Sequence, residues 1–274
     1  MYKFAVIGDP INHSLSPKIH SIFARIEGLR VQYDAIRVSI DNFESKILEL
    51  FNNGYQGINV TLPLKEEAYK FCEVRSEESQ QSGSINTIWE KSGKFYGDST
   101  DGRGFLNDLS DKEISFQEKN LLLIGSGGSA RAILPVIMDR GPKEIKIINR
   151  TVENAQALVK EFKNSETKIS TGNLFDLVDF KAEGVINTSS EGLLTSEISL
   201  PADALSSASW AYDLNYSHEE TAFIKLAKER GIDTVSDGIG MLINQAALSF
   251  EIWTSILPPT SSTLNLLREE LHLI

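Results

Sequence analysis

The stretch at residues 120–134, "NLLLIGSGGSARAIL", decides how the rest of the chain is read. Leu121 to Ile124 form a short apolar run of the kind buried on both faces of a parallel sheet. A tight turn follows at Gly125, Gly127 and Gly128, and a helix opens at once. Such a turn lets the backbone approach a pyrophosphate, whose charge then meets the unpaired N–H groups of the helix start. The pattern is G-x-G-x-x-A, with Ala130 in the last position, so the expected cradle is Gly125, Ser126, Gly127, Gly128, Ser129 and Ala130. A glycine turn can also merely join a strand to a helix, and the next strand bears on that choice. The run "EIKIINR" ends at Asn149, Arg150 and Thr151, about 20 residues past the loop, where sites for NAD carry an acid on the ribose hydroxyl. Arg150 stands there instead. Its planar fork of donors suits a 2′-phosphate that an acid would repel, so NADP is the expected cofactor. The plainer alternative is a solvated arginine at a strand end.

Working outward, β-branched runs alternate with helical periodicity almost throughout, which is the pattern of an α/β protein with parallel sheets. "FAVI", "VQYDAIRV", "GINVT", "GVINTS", "WAYDL" and "DTVS" read as strands. "SPKIHSIFARIEGL", "VENAQALVKEFKN" and "EETAFIKLAKERG" read as helices closing on glycine or asparagine. One segment departs from the rule: "INTIWEKSGKFYGDST" reads as two strands around a Ser-Gly turn, a hairpin that marks the end of one unit. A first domain boundary is therefore placed near residue 101. Helical patterns over residues 240–256 and 262–271 end the chain without further strands, so the C-terminal helices are expected to return to the first domain.

Composition narrows the function classes. The chain has 274 residues, 41% of them hydrophobic, enough for two modest cores. Lys+Arg number 27 against 38 Asp+Glu, a formal charge of −11, so the overall field repels nucleic acid and acidic membrane surfaces. No stretch approaches the roughly 18 apolar residues of a membrane span, and the start "MYKFAVIGDPINHS" lacks the pattern of an export signal. The single cysteine, Cys72, rules out an intramolecular disulfide and is expected as a buried helix residue. No Cys/His spacing fits a zinc site. A soluble, cytoplasmic protein is expected.

Several polar residues in the first half lie where strands meet helices. In "NVTLPLKEEAY" the strand breaks at Pro63 and Lys65 falls at a helix start. In "HSLSPKIH", Ser16 before Pro17 reads as an N-cap, which leaves Ser14 without that explanation. Thr61 ends "NVT", Asn86 lies in "SINT", and Asp101 in "STDG" could be another cap. Taken together they supply hydroxyl, amide, ammonium and carboxylate groups, an inventory suited to a polyhydroxylated small acid at the carboxyl edge of an α/β sheet.

The motifs "HSLSP", "GINVTLPLK", "INT", "GDSTDG", "GSGGSAR", "NRT", "INTSS", "YDLNY" and "DGIGMLINQAA" run nearly end to end, and in this order the chain resembles the bacterial shikimate dehydrogenases. The resemblance implies reversible, NADPH-dependent reduction of 3-dehydroshikimate to shikimate, in the pathway to chorismate and the aromatic amino acids. It implies an N-terminal α/β substrate domain and a Rossmann-type NADP-binding domain around a cleft. The ranges are 1–100 with 239–274 for the substrate domain and 101–238 for the cofactor domain.

Carried over by position, the catalytic lysine is Lys65 and its partner carboxylate is Asp101. Ser14 and Ser16 match serines that bind the substrate carboxylate, and Thr61, Asn86, Tyr216 and Gln245 match residues lining the substrate site. Glu77, Leu214 and Gly238 match cofactor contacts. One departure is Asn154, where the family commonly has a second basic residue after "NRT", so Arg150 would carry most of the 2′-phosphate recognition. The partner expected is the small-molecule substrate, with neither nucleic acid nor membrane, in a homodimer. Two other readings share the motifs: a quinate/shikimate dehydrogenase with NAD or mixed cofactor use, and a non-catalytic nucleotide-sensing module, which would be expected to lack Lys65 or Asp101.

Overall fold

The computed structural model describes residues 1–162, 166–173, 176–177, 180–189, 200, 202–217 and 219–271. The chain divides into two compact units, one formed by Met1–Phe105 with Leu242–Leu271 and one by Leu106–Met241.

The first unit opens with β1 (Tyr2–Gly8), α1 (Ser16–Ile26), β2 (Val31–Arg37), α2 (Phe43–Asn52) and β3 (Gly57–Val60). There follow α3 (Lys65–Phe71), β4 (Val74–Arg75), α4 (Glu77–Ser82), β5 (Thr87–Lys91) and β6 (Lys94–Asp98). Its sheet has the order β2-β1-β3-β5-β6-β4. The strands β2, β1 and β3 are parallel, whereas β5 is antiparallel to both β3 and β6. The hairpin read from "INTIWEKSGKFYGDST" is present, and its turn uses Ser92 and Gly93 at φ of 55° and 77°, the left-handed region that such two-residue turns require.

That reversal positions the site. Because β5 runs against its neighbours, its beginning lies at the same sheet edge as the ends of β1, β3 and β6. At this edge Ser14, Thr61 and Asn86 lie on loops, and Ser16, Lys65 and Asp101 are the first residues of helices. The sheet is held by side chains such as Phe4, Ile7, Ile58 and Ile88, none of them accessible to solvent, each contributing roughly 1.5–3 kcal/mol by burial.

The second unit contains β7 (Asn120–Ile124), α6 (Gly128–Met138), β8 (Glu144–Ile148), α7 (Val152–Glu161), β9 (Lys168–Gly172) and β10 (Gly184–Asn187), then β11 (Trp210–Asp213), α8 (Ala222–Glu229) and β12 (Thr234–Ser236). Helix α7 is shorter than the sequence pattern, whose last residues, with Ser190 of the "INTSS" motif, lie outside the described residues. All these strands are parallel, in the order β12-β11-β10-β7-β8-β9. The order reverses between β7 and β10, so the glycine loop after β7 stands at the topological switch point where such sheets bind ligands.

Two helices, α5 (Asp101–Ser110) and α9 (Ile239–Thr254), each begin in one unit's residue range and end in the other's. The last helix, α10 (Thr260–Leu271), packs on α1 in the first unit, where Glu270 bonds Lys18 and Arg25.

One buried group in the first unit makes stability depend on pH. His20 on α1 is fully buried, stacks on Tyr33 with ring centroids 4.1 Å apart, and among the described residues neither ring nitrogen has a hydrogen-bond partner. Phe23, Phe250 and Trp253 surround it, and Asn59 is the polar side chain that partly offsets its burial. Burial lowers its pKa from 6.5 to about 3. Below pH 6.5 the unfolded chain therefore binds a proton that the folded one refuses, and stability falls as pH drops toward 3. At pH 4.5 this group should cost about 3 kcal/mol relative to neutral pH. Urea unfolding at pH 4.5 and 7.5 should show a smaller pH dependence in His20→Phe than in the unmodified chain.

Candidate active site

Lys65 is the first residue of α3, and its carbonyl accepts the Ile85 amide at 3.0 Å, which fixes the helix start beside Asn86. Its Nζ donates to Asp101 Oδ2 at 2.6 Å, with the lysine side chain 24% exposed and the aspartate 9%. A charge-assisted bond of this length is strong, and the partial exposure leaves other ammonium hydrogens open to a ligand. The remaining carboxylate oxygen, Asp101 Oδ1, accepts from Asn86 Nδ2 at 2.9 Å.

Asn86 is the hub of this site. Its amide nitrogen is also 2.9 Å from Thr100 Oγ1 and 3.1 Å from Gln245 Oε1, so two hydrogens serve three acceptors. Its carbonyl oxygen accepts from the Thr100 amide at 2.9 Å and from Thr87 Oγ1 at 2.8 Å. The Thr100 hydroxyl in turn donates to the Gln245 carbonyl at 3.0 Å. Beneath lies a second layer, in which Asn59 Nδ2 donates to Ser249 Oγ at 3.0 Å and Tyr33 donates to Asn59 Oδ1 at 2.7 Å. Sequence reasoning missed Thr100, Asn59 and Ser249. The first two lay inside motifs already singled out, and Ser249 is one turn beyond Gln245 on α9, a polar residue on an apolar helix.

Gln245 reaches Asn86 because Gly104 on α5 has no side chain. A Cβ there would stand 2.6 Å from the Gln245 backbone nitrogen. Gly104→Ala should push α9 away, lower stability by roughly 1–3 kcal/mol and raise the Michaelis constant of the substrate. Thermal melting together with steady-state assays checks both effects.

Ser14 and Ser16 are joined by the Ser16 amide, which donates to Ser14 Oγ at 3.3 Å. The capping role read for Ser16 is corrected: Leu15 is the N-cap, Ser16 is the first helical residue, and no side chain caps α1. The Ser16 hydroxyl is therefore not used as a cap. Thr61 follows β3 directly, with its amide on the Ile7 carbonyl at 2.9 Å. Asp101, the other candidate cap, is itself the first residue of α5, and its carboxylate is committed to Lys65 and Asn86. Cys72 is buried but lies just past α3 in extended conformation, not within the helix, and burial pushes its thiol up to about 12.

In the second unit Gly125 has φ +102°, and an added Cβ would stand 2.6 Å from Thr188 Oγ1, so only glycine fits. Among the described residues a Cβ at Gly127 would meet nothing within 4 Å. Gly127 is the N-cap of α6 and supplies no side-chain bond, which leaves the first-turn amides, those of Gly128, Ser129 and Ala130, for an anion. Open space beside free amides fits a dinucleotide pyrophosphate. Beyond β8, Asn149 Nδ2 donates to the Thr151 carbonyl at 2.8 Å and shapes the turn. Arg150 is exposed and pairs with no carboxylate among the described residues, so its guanidinium is available to a 2′-phosphate. Asn154 lies exposed in the first turn of α7.

Asp213, at the end of β11, accepts from Asn187, Thr221 and both nitrogens of Asn215, at 2.6 to 3.0 Å. Burial nevertheless raises its pKa. Leu214 follows it, and a Cβ on Gly238 would strike the Leu214 carbonyl at 2.1 Å. Tyr216 belongs to this second unit and is half-buried, which raises its phenol's pKa. Glu77 is exposed at the start of α4 in the first unit. Among the described residues no three His, Cys, Asp or Glu side chains are placed to hold a metal ion.

A doubly wound sheet with a phosphate-cradling loop, joined in one chain to a unit carrying a Lys–Asp pair in a hydrogen-bonded polar site, defines a dinucleotide-dependent oxidoreductase. Three family models match the chain in succession: the shikimate dehydrogenase substrate binding domain over residues 6–88, shikimate/quinate 5-dehydrogenase over 108–195, and the shikimate 5′-dehydrogenase C-terminal domain over 238–268. The chain is 36% identical over 269 residues to the shikimate dehydrogenase (NADP(+)) of Alkalilimnicola ehrlichii, covering 98% of this chain and 99% of that protein. It is 38% identical to the enzyme of the same name from Legionella pneumophila, over 97% of this chain and 98% of the relative. Among solved structures, shikimate 5-dehydrogenase from Thermus thermophilus in complex with NADP(H) and shikimate superposes with a TM-score of 0.88, at 32% identity, over 98% of this chain and 99% of that one. The chain belongs to the shikimate dehydrogenase family.

Proposed function

We propose that the protein is an NADP-dependent shikimate dehydrogenase, interconverting 3-dehydroshikimate and shikimate. The observation that carries this is the Lys65–Asp101 pair, set at 2.6 Å within a site completed by Asn86 and Gln245. Relatives named for this activity match the chain at nearly full length.

NADPH, when bound, supplies the hydride. The glycine loop would hold its pyrophosphate, and Asn149, Arg150 and Thr151 its adenosine end, with Glu77, Leu214 and Gly238 as further contacts. Lys65 Nζ gives a proton to the carbonyl oxygen of the substrate in reduction and takes the hydroxyl proton in oxidation. Asp101 holds the ammonium in place and accepts from a substrate hydroxyl. Ser14 and Ser16 bind the substrate carboxylate, while Thr61, Asn86, Tyr216 and Gln245 orient the ring.

Shikimate and quinate, each offered with NADP or NAD, test the reading through the near-ultraviolet absorbance of the reduced nicotinamide. The fastest reaction should be shikimate with NADP. Faster quinate oxidation with NAD would move the assignment to a quinate enzyme, and no absorbance change would indicate a non-catalytic module. The substrate domain is assigned to residues 1–100 with 239–274 and the cofactor domain to 101–238. A homodimer in the cytoplasm is the assembly and location proposed, and light scattering checks the first. Among the described residues no helix is long and apolar enough to cross a membrane.

A further inference from the structure

Asp98 ends β6, three residues before Asp101. Its side chain is 8% exposed, and its carboxylate joins three pieces of the chain. On Oδ1 it accepts from Ser76 Oγ at 2.5 Å and from the Ser99 amide at 2.8 Å. On Oδ2 it is bonded by Arg103 Nη2. Ser76 is also the N-cap of α4, accepting the Ser79 amide at 3.2 Å. Arg103 lies in the first turn of α5 and reaches Glu78 through Nε at 3.3 Å.

These bonds enclose the turn that presents Asp101. Asp98 holds its beginning, and Arg103, two residues past Asp101, holds its exit. Between them Thr100 is fixed through its amide to Asn86 and through its hydroxyl to the Gln245 carbonyl. A buried carboxylate is tolerated only when paired and hydrogen-bonded, and here it uses Arg103 and two neutral donors. None of the bonds that Asp98 makes is to Lys65 or Asp101, so the network acts on geometry.

We propose that the Asp98–Arg103 ion pair is a positioning device, which sets the direction in which the Asp101 carboxylate leaves α5 toward Lys65. The proposal rests on the assignment of Lys65 and Asp101 as the catalytic pair. Capping α4 is a separate job, served by Ser76 alone, and it does not require a cation on α5.

The test is a double-mutant cycle between Asp98→Ala and Asp101→Asn, read as single-turnover rate, Michaelis constant for shikimate and thermal midpoint. In the otherwise unmodified chain Asp98→Ala should slow turnover roughly 10- to 30-fold, less than the ~100-fold that a 1 Å misplacement can cost, with the Michaelis constant within about threefold. In the Asp101→Asn background the same change should cost less than about twofold, because its target is already gone. Asp98→Asn keeps an acceptor for Ser76 and Ser99 and should retain more activity, and it replaces Asp98→Ala in the cycle should that variant not fold. Equal losses in both backgrounds, or a turnover within twofold of the unmodified chain, would assign Asp98 to stability alone and overturn the proposal. An unmodified chain that is inactive on shikimate and NADP would instead remove the catalytic assignment, and this proposal with it.

Discussion

Lys65→Ala is expected to lower turnover by at least about 100-fold, the lower end of what a positioned acid/base supplies, with the Michaelis constant for shikimate little changed. The split follows from the layout. The ammonium hydrogen-bonded at 2.6 Å to Asp101 is the group proposed to carry the proton. In the proposed assignment substrate binding rests on other residues, among them Ser14, Ser16, Thr61, Asn86 and Gln245, and the substitution leaves these in place. Asp101 then keeps Asn86 as a partner but loses its counter-ion. Near-normal steady-state turnover in Lys65→Ala would refute the acid/base role. A large rise in Michaelis constant at unchanged turnover would make Lys65 a binding residue only.

Arg150→Asp should weaken NADP far more than NAD. The guanidinium is exposed and pairs with no carboxylate among the described residues, so no structural ion pair is broken and the fold should be untouched. A hydrogen bond to a charged group contributes about 1.5–3 kcal/mol, and reversing the charge adds repulsion of the phosphate, so the NADP Michaelis constant should rise roughly 10- to 100-fold. NAD has no 2′-phosphate and should change only slightly. Asn154 adds no second cation to offset the loss. Equal changes for the two cofactors, measured side by side, would sink the assignment.

Local pattern made part of this legible. The glycine loop, the Ser92–Gly93 hairpin and the helix beginning at Lys65 each rest on a few consecutive residues whose backbone needs are specific. The role of Lys65 came from the resemblance, since an isolated lysine at a helix start reads equally well as a solvated end. Ser16 misled because a serine before proline fits a cap, while the helix in fact starts one residue earlier than that reading requires. The hub at Asn86 was hidden for a different reason. Its bond to Gln245 spans 159 positions, and no periodicity records which distant side chain an amide will meet. The hairpin predicted that β5 and β6 run antiparallel, but spacing could not show that β5 would also pair antiparallel with β3, which is what brings Asn86 to the edge where β3 ends.

The first unit is discontinuous, whereas Leu106–Met241 is one unbroken run. During synthesis the nascent chain therefore carries Lys65, Asn86 and Asp101 out of the ribosome long before Gln245 and Ser249. The bonds from Asn86 to Gln245 and from Asn59 to Ser249 must wait for α9. Domains generally fold as units as they emerge, so the second unit, proposed to bind the dinucleotide, can complete its sheet while the first, proposed to hold the catalytic pair, still lacks most of α9. An arrest or truncation before residue 242 would then release a chain able to bind nucleotide and unable to turn over.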